Sequence, residues 1–193
     1  TVGGGSKGVA PVYGYQLVNT TASANIGVIT RAALTVTANN QSKSYGTTFP
    51  FTGSEFTPAG LQNGETIGSV TLVSAGAPAT AHVAGGPYPI TPSAATGGTF
   101  TPTDYTIGYV NGTLTVNQAA LTVTANDQVK SYGTPFTFAG SEFTPSGLKN
   151  GETIGSVTLT SAGTSATAAA TTPVAAPPYP IVASAAIGGT FTA

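Results

Sequence analysis

The chain contains no cysteine, so no disulfide or thiolate site can form, and cysteine says nothing about redox compartment. Charge is almost as scarce. Only 6% of the 193 residues are Asp, Glu, Lys or Arg, where a soluble domain carries about a quarter. Five basic residues against six acidic ones, for a net charge of -1, cannot build the basic stripe that nucleic-acid binding requires. No apolar run approaches the roughly 18 residues of a membrane helix. Low charge does not here mean disorder, because 40% of the residues are hydrophobic and Val, Ile, Thr, Tyr and Phe recur throughout. A surface with so little charge has weak colloidal repulsion and tends to associate. The length allows one large or two small domains with modest cores. These exclusions point to an extracellular structural protein.

An internal repeat organises what is present. The segment Ala32–Gly76 returns at Ala119–Gly163 with an offset of 87 and 8 differences over 45 positions. That degree of identity marks a tandem array. After a four-residue insertion the match resumes, with GPYPI ending at Ile90 answered by PPYPI ending at Ile181. GGTFT closes both copies, at 97–101 and 188–192. Copy one runs on through PTDYTIGYVNGTLTVN to Asn117, a stretch that copy two lacks. The expected organisation is a preceding-domain tail at 1–31, a complete β repeat at 32–117, and a second β repeat at 118–193 without its closing hairpin.

Within a copy the signals are those of strands. Leu34, Val36 and Ala38 alternate with threonines, as do Leu121, Val123 and Ala125, the period of a half-buried strand. Val70 and Leu72 form another alternating run, and PYPI a further one. Tyr45-Gly46 and Tyr132-Gly133 read as turns. Phe49, Phe51 and Phe56, matched by Phe136, Phe138 and Phe143, are expected to carry much of the core. GLQNGET and GLKNGET are too short and glycine-rich for more than a helical turn. Asn111-Gly112, between YTIGYV and TLTV, predicts a two-residue hairpin. The fold class is mainly β: tandem small β domains, β-grasp-like favoured, with an immunoglobulin-like sandwich as the alternative.

The order LTVTAN, KSYG, L-x-NGET, PYPI and YTIGYVNGTLTV resembles the MBG-type repeat of the Tyr-Gly subclass. Residues 13–31 resemble the end of the related YDG-type repeat. The resemblance implies tandem, β-grasp-like domains in the stalks of large bacterial surface and secreted adhesins. It supplies no catalytic residues.

Candidates for chemistry each have an ordinary structural reading. His82, the only histidine, is read as an exposed loop residue, since a general base needs a partner within hydrogen-bond reach. Glu55 and Glu65, kept as Glu142 and Glu152, are the only candidate carboxylate pair, and capping is the ordinary role of Glu65. Asp104 and Asp127 are the only aspartates, too few for a calcium cage. Lys43 and Lys130 beside Asn39 and Asn126 raise a Lys–Asn crosslink, against solvated lysines as the plain reading. Asn19, Asn40 and Asn111 match the glycosylation pattern, and Tyr88 and Tyr179 could stack on sugars or pack in the core. No catalytic, cofactor-binding or metal-binding residue is expected, and no cofactor.

The expected function is a non-catalytic stalk, extracellular at the bacterial surface or secreted. Its partners are neighbouring repeats of the same polypeptide or other copies of itself, with no nucleic acid and no membrane insertion. The alternative is a filament or sheath subunit joined by head-to-tail strand complementation, in which residues 13–30 of one chain complete the shortened domain of the next. Direct glycan or protein adhesion is a third reading.

Overall fold

The computed structural model describes residues 27–131, 134–164 and 179–192. The expected preceding-domain tail, its YDG-type resemblance and the donor segment fall, up to residue 26, outside the described residues. The protein is mainly β, built as tandem small β domains. Among the described residues, helical structure is confined to three 3-10 turns.

The first unit contains β1 (Ala32–Ala38), β2 (Gln41–Ser44), β3 (Phe56–Ala59), β4 (Ile67–Val73), β5 (Tyr88–Gly98), β6 (Tyr105–Val110) and β7 (Gly112–Asn117). They form two sheets, in the orders β3-β1-β6 and β2-β7-β5-β4. The alternation in β1 puts Leu34, Val36 and Ala38 on one face, where they meet Val70, Leu72, Ile90 and Leu114 of the other sheet in a single core. Thr35 stays exposed, so the local period of two becomes a buried and a solvated face. Phe49, Phe51 and Phe56 line this core as partly buried side chains rather than filling it. The most deeply buried positions belong to residues on paired strands, whereas Phe49 and Phe51 lie in the connection between β2 and β3.

β1 pairs with β6 in parallel, and β2 with β7 in parallel. This first-to-last parallel pairing belongs to the β-grasp-like expectation, whereas two sheets closing on one core belong to the sandwich alternative. The unit combines them because both terminal strands change sheets. β1 hands over to β2 at Asn39-Asn40, and β6 hands over to β7 at Asn111.

The expected Asn111-Gly112 hairpin is therefore not formed. β6 lies beside β1 in one sheet, while β7 lies between β2 and β5 in the other. Neither Asn111 nor Gly112 has the positive φ of a primed turn. Gly112 is instead required by a close approach: a Cβ there would sit 2.4 Å from the Ala38 carbonyl oxygen. The adjoining Thr113 N–H donates to Asn40 Oδ1 at 2.9 Å, fixing the two crossings side by side.

The primed turn occurs elsewhere. Asn63 and Gly64 have φ of 53 and 71, and the Glu65 N–H donates to the Gln62 carbonyl at 2.9 Å. Asn150 and Gly151 repeat it, with φ of 51 and 73. NGET is thus a two-residue turn and not a helical one, since both central residues take the left-handed region that Asn and Gly tolerate.

The second unit contains β8 (Thr122–Ala125), β9 (Phe143–Ser146), β10 (Ile154–Thr160) and β11 (Val182–Gly189). β8 pairs with β9 and β10 with β11, as β1 does with β3 and β4 with β5. Even a bulge is reproduced, with Ala94 at φ 48 in β5 and Ala185 at φ 46 in β11. Among the described residues, every strand pair lies within one unit or the other and none crosses between them.

Candidate functional site

Tyr45-Gly46 directly follows β2 and lies at the exit of the first unit. The Tyr45 N–H donates to the carbonyl of Asn117, the last residue of β7, at 2.8 Å. Only Gln118–Leu121 separate β7 from β8. The Tyr45 phenol reaches across this join and donates to Glu152 Oε1 at 2.5 Å. The Gly46 N–H donates to the Ala79 carbonyl at 3.1 Å. That same carbonyl accepts from Asn150 Nδ2 of the second unit at 3.3 Å.

Gly46 has φ +81, and a Cβ on it would lie 2.3 Å from Cγ of Lys149. Glycine is needed there for the backbone turn and for the lysine stem lying over it. His82 remains exposed, as expected, and its ring stacks on Tyr45 with centroids 5.7 Å apart. Tyr45, His82, Leu121, Leu148 and Phe191 border a cavity of about 480 Å³ between the units. Hydrogen bonding to the Glu152 carboxylate holds the Tyr45 phenol above its ordinary pKa.

The two kept glutamates have separate tasks. Glu65 accepts the Tyr105 hydroxyl of its own unit, closing β6 onto the NGET turn. This bond also raises the Tyr105 pKa. Its counterpart Glu152 takes the tyrosine of the preceding unit. Glu55 organises its own loop, accepting from the Thr52 hydroxyl at 2.6 Å, the Thr52 N–H at 3.0 Å and the Gly53 N–H at 3.1 Å. Glu142 does the same with the N–H groups of Ala139, Gly140 and Ser141.

Glu55 and Glu142 titrate below the ordinary carboxylate range. At Glu55 partial burial acts upward, and the Thr52 and backbone hydrogen bonds outweigh it. At Glu142 the Ala139 N–H is the main cause. A carboxylate whose pKa is depressed by folding stabilises the protein above the unfolded value, and that stability is lost as pH falls through the folded value. Glu55→Gln is accordingly expected to lower the urea midpoint at neutral pH and to flatten its fall between about pH 5 and pH 2. A midpoint with the parent pH profile would refute this loop role.

The other candidates are likewise spent on structure. Lys43 is 7% exposed and donates to the carbonyls of Thr47, at 2.8 Å, and of Ala77 and Pro78. Asn39 Oδ1 accepts the Thr57 hydroxyl at 2.7 Å, so the proposed crosslink partners are held by different groups. Asn126 likewise takes Thr144 at 2.8 Å, and Lys130 donates to the Thr134 carbonyl at 3.4 Å. Tyr88 packs its ring under Gly76 and donates to the His82 carbonyl at 2.8 Å; Tyr179 packs on Gly163. Asp104 ends a 3-10 turn, and Asp127 lies on the edge of a groove in the second unit. Asn40 is occupied at the strand crossing, and Asn19 lies outside the described residues. The short Val116–Leu121 connection is legible in the sequence, but the side chains that meet across it are not; their one visible signal is that Tyr-Gly and NGET recur together in both copies.

A pair of small β domains, latched end to end through a Tyr-Gly turn and an Asn-Gly-Glu turn, is the class these features define. The chain belongs to the MBG domain (YGX type) family, whose model matches residues 34–115 and 121–191. It is a repeat region made of two such domains. No match was found among curated proteins or among solved structures.

Proposed function

We propose that this chain is the non-catalytic structural repeat region of a large bacterial cell-surface or secreted adhesin, serving as an extended stalk. The observation that carries this reading is the joint. A four-residue connection, Gln118–Leu121, together with the Tyr45–Glu152 and Asn150–Ala79 hydrogen bonds, restrains one unit on the next, unlike a flexible Gly/Ser linker. A stalk needs that restraint to hold a tip away from the surface. The groups that could have supported catalysis, His82, Glu55 and Glu65, are engaged in ring stacking and in loop and turn hydrogen bonds. The partners in this reading are neighbouring repeats, and no cofactor is invoked.

Small-angle scattering tests it. The parent chain is expected to behave as one elongated particle with a narrow distribution of inter-unit angles. Tyr45→Ala combined with Glu152→Ala should broaden that distribution while the main unfolding transition of the first unit stays in place. A parent chain that already bends as freely as the double variant would defeat the stalk reading. The phenol must be protonated to donate, and its pKa is raised in the folded state. The latch is therefore fully made at neutral pH and opens as pH rises through that raised value.

A further inference from the structure

The sequence contains three Asn-Gly pairs, at 63–64, 111–112 and 150–151. Asparagine is chemically labile, and a following glycine leaves its side-chain amide open to attack by the chain. With no Cβ in the way, the next backbone nitrogen can approach the asparagine Cγ. The fold puts the three pairs in different settings.

At Asn111 the path is closed. Gly112 is buried in β7, where it stands opposite Ile90, and the adjoining Thr113 N–H is held by Asn40. Bringing the Gly112 nitrogen onto the Asn111 amide requires β7 to leave both of its partners, β2 and β5. Asn63-Gly64 and Asn150-Gly151 lie instead in exposed two-residue turns. At Asn150 the closing bond runs from the Glu152 N–H to the Lys149 carbonyl at 2.9 Å. The Gly151 N–H lies outside that bond, so only the turn itself must open. Such a local opening costs far less than the release of a core strand.

Asn150 differs from Asn63 in what its turn holds. Its Nδ2 donates to the Ala79 carbonyl of the first unit at 3.3 Å. Two positions on, Glu152 takes the Tyr45 phenol, and one position back the Lys149 stem covers Gly46. The joint between the units therefore depends on the conformation of this one turn.

We propose that Asn150 is a self-modification site whose deamidation releases the joint between the two units. The Gly151 nitrogen gives up its proton to base and attacks Asn150 Cγ. A C–N bond forms, and the side-chain nitrogen leaves as ammonia, taking its last proton from water. Water then opens the five-membered imide at one of its two carbonyls, giving aspartate or isoaspartate. The only co-reactant is solvent water, and no oxidation state changes. Either product has lost the Nδ2 donor to Ala79 and carries a new negative charge. Aspartate sets that charge against the Ala79 carbonyl oxygen, where an acceptor now faces an acceptor. Isoaspartate adds a methylene to the backbone of a tight turn and carries Glu152 out of register with Tyr45. In a chain of net charge -1, one such event doubles the net charge. The inference does not depend on the array acting as a stalk.

Peptide mapping of the full chain during incubation in mildly alkaline buffer tests the chemistry, each conversion adding about 1 Da. Asn63 and Asn150 are expected to convert at least about tenfold faster than Asn111. Because the chain has no native cysteine, Thr71→Cys and Thr158→Cys place one spin label on an exposed strand position of each unit. Asn63→Gly, which still suits a primed turn, is added so that separation by charge isolates the product converted at Asn150 alone. The distance distribution between the labels should be narrow before incubation and clearly broader in that product. Asn150→Asp should broaden it without incubation, through the charge alone. Conversion of Asn63 that leaves Asn150 intact overturns the proposal, as does conversion of Asn111 as fast as Asn150. A converted chain that keeps the distance distribution of the unconverted one overturns it equally.

Discussion

Gly112→Val is expected to lower the unfolding free energy of the first unit by about 3 kcal/mol, with Gly112→Ala intermediate. The first added atom would meet the Ala38 carbonyl oxygen at 2.4 Å, the Ala38 carbonyl carbon at 2.9 Å and the Asn39 carbonyl carbon at 3.2 Å. All three are backbone atoms, so no side-chain rotation relieves the contact. Nor can the strands separate at low cost, because Asn40 Oδ1 holds the Thr113 N–H and the two parallel ladders continue on either side. Urea denaturation of the full chain, following the main transition, measures the loss. Equal midpoints for the parent and both variants would show that β1 and β7 do not approach at this point.

The second large effect concerns the units in isolation. Residues 32–117 are expected to fold alone with a clear cooperative transition, and residues 119–193 alone to be marginal or unfolded at the same temperature. In the first unit Tyr105, Leu114 and Val116 of β6 and β7 are 5%, 0% and 3% exposed. Burying such a side chain contributes about 2 kcal/mol, so three of them approach the net stability of a small domain, about 5 to 15 kcal/mol. The segment 119–193 has no counterparts of these residues, and Leu121 stays 38% exposed. Two-stranded pairs of the kind formed by β8 with β9 and β10 with β11 are weak alone. Circular dichroism melts of the two segments decide it. Matching midpoints would mean that β6 and β7 are dispensable to the unit and that its strand boundaries are drawn wrongly.

Much of this architecture is legible in the chain itself. The repeat offset, the strands β1, β4 and β7, and the inward positions Leu34, Val36, Val70, Leu72 and Leu114 all follow from alternation. A strand buries every second residue whatever its partner is. The β-rich class and its tandem organisation follow as well, since scarce charge and short alternating runs between Gly- and Pro-rich turns leave no segment with a helical period. The family resemblance rests on the same residues, because they carry the turns and the core.

Tertiary structure decided which strands meet. Asn111-Gly112 and Asn63-Gly64 are the same dipeptide, yet only Asn63-Gly64 makes the primed turn. At Asn111 the chain goes straight on, because β1 and β2 offer two parallel partners in two different sheets. Gly112 answers to Ala38, 74 positions earlier, and Tyr45 answers to Glu152, 107 positions later. Local sequence determines which way a side chain faces, because alternation and turn conformation are set by neighbouring dihedral angles. The joint between repeats and the strand crossing arise where distant parts of the chain come within van der Waals reach, and that distance is fixed only by the tertiary fold.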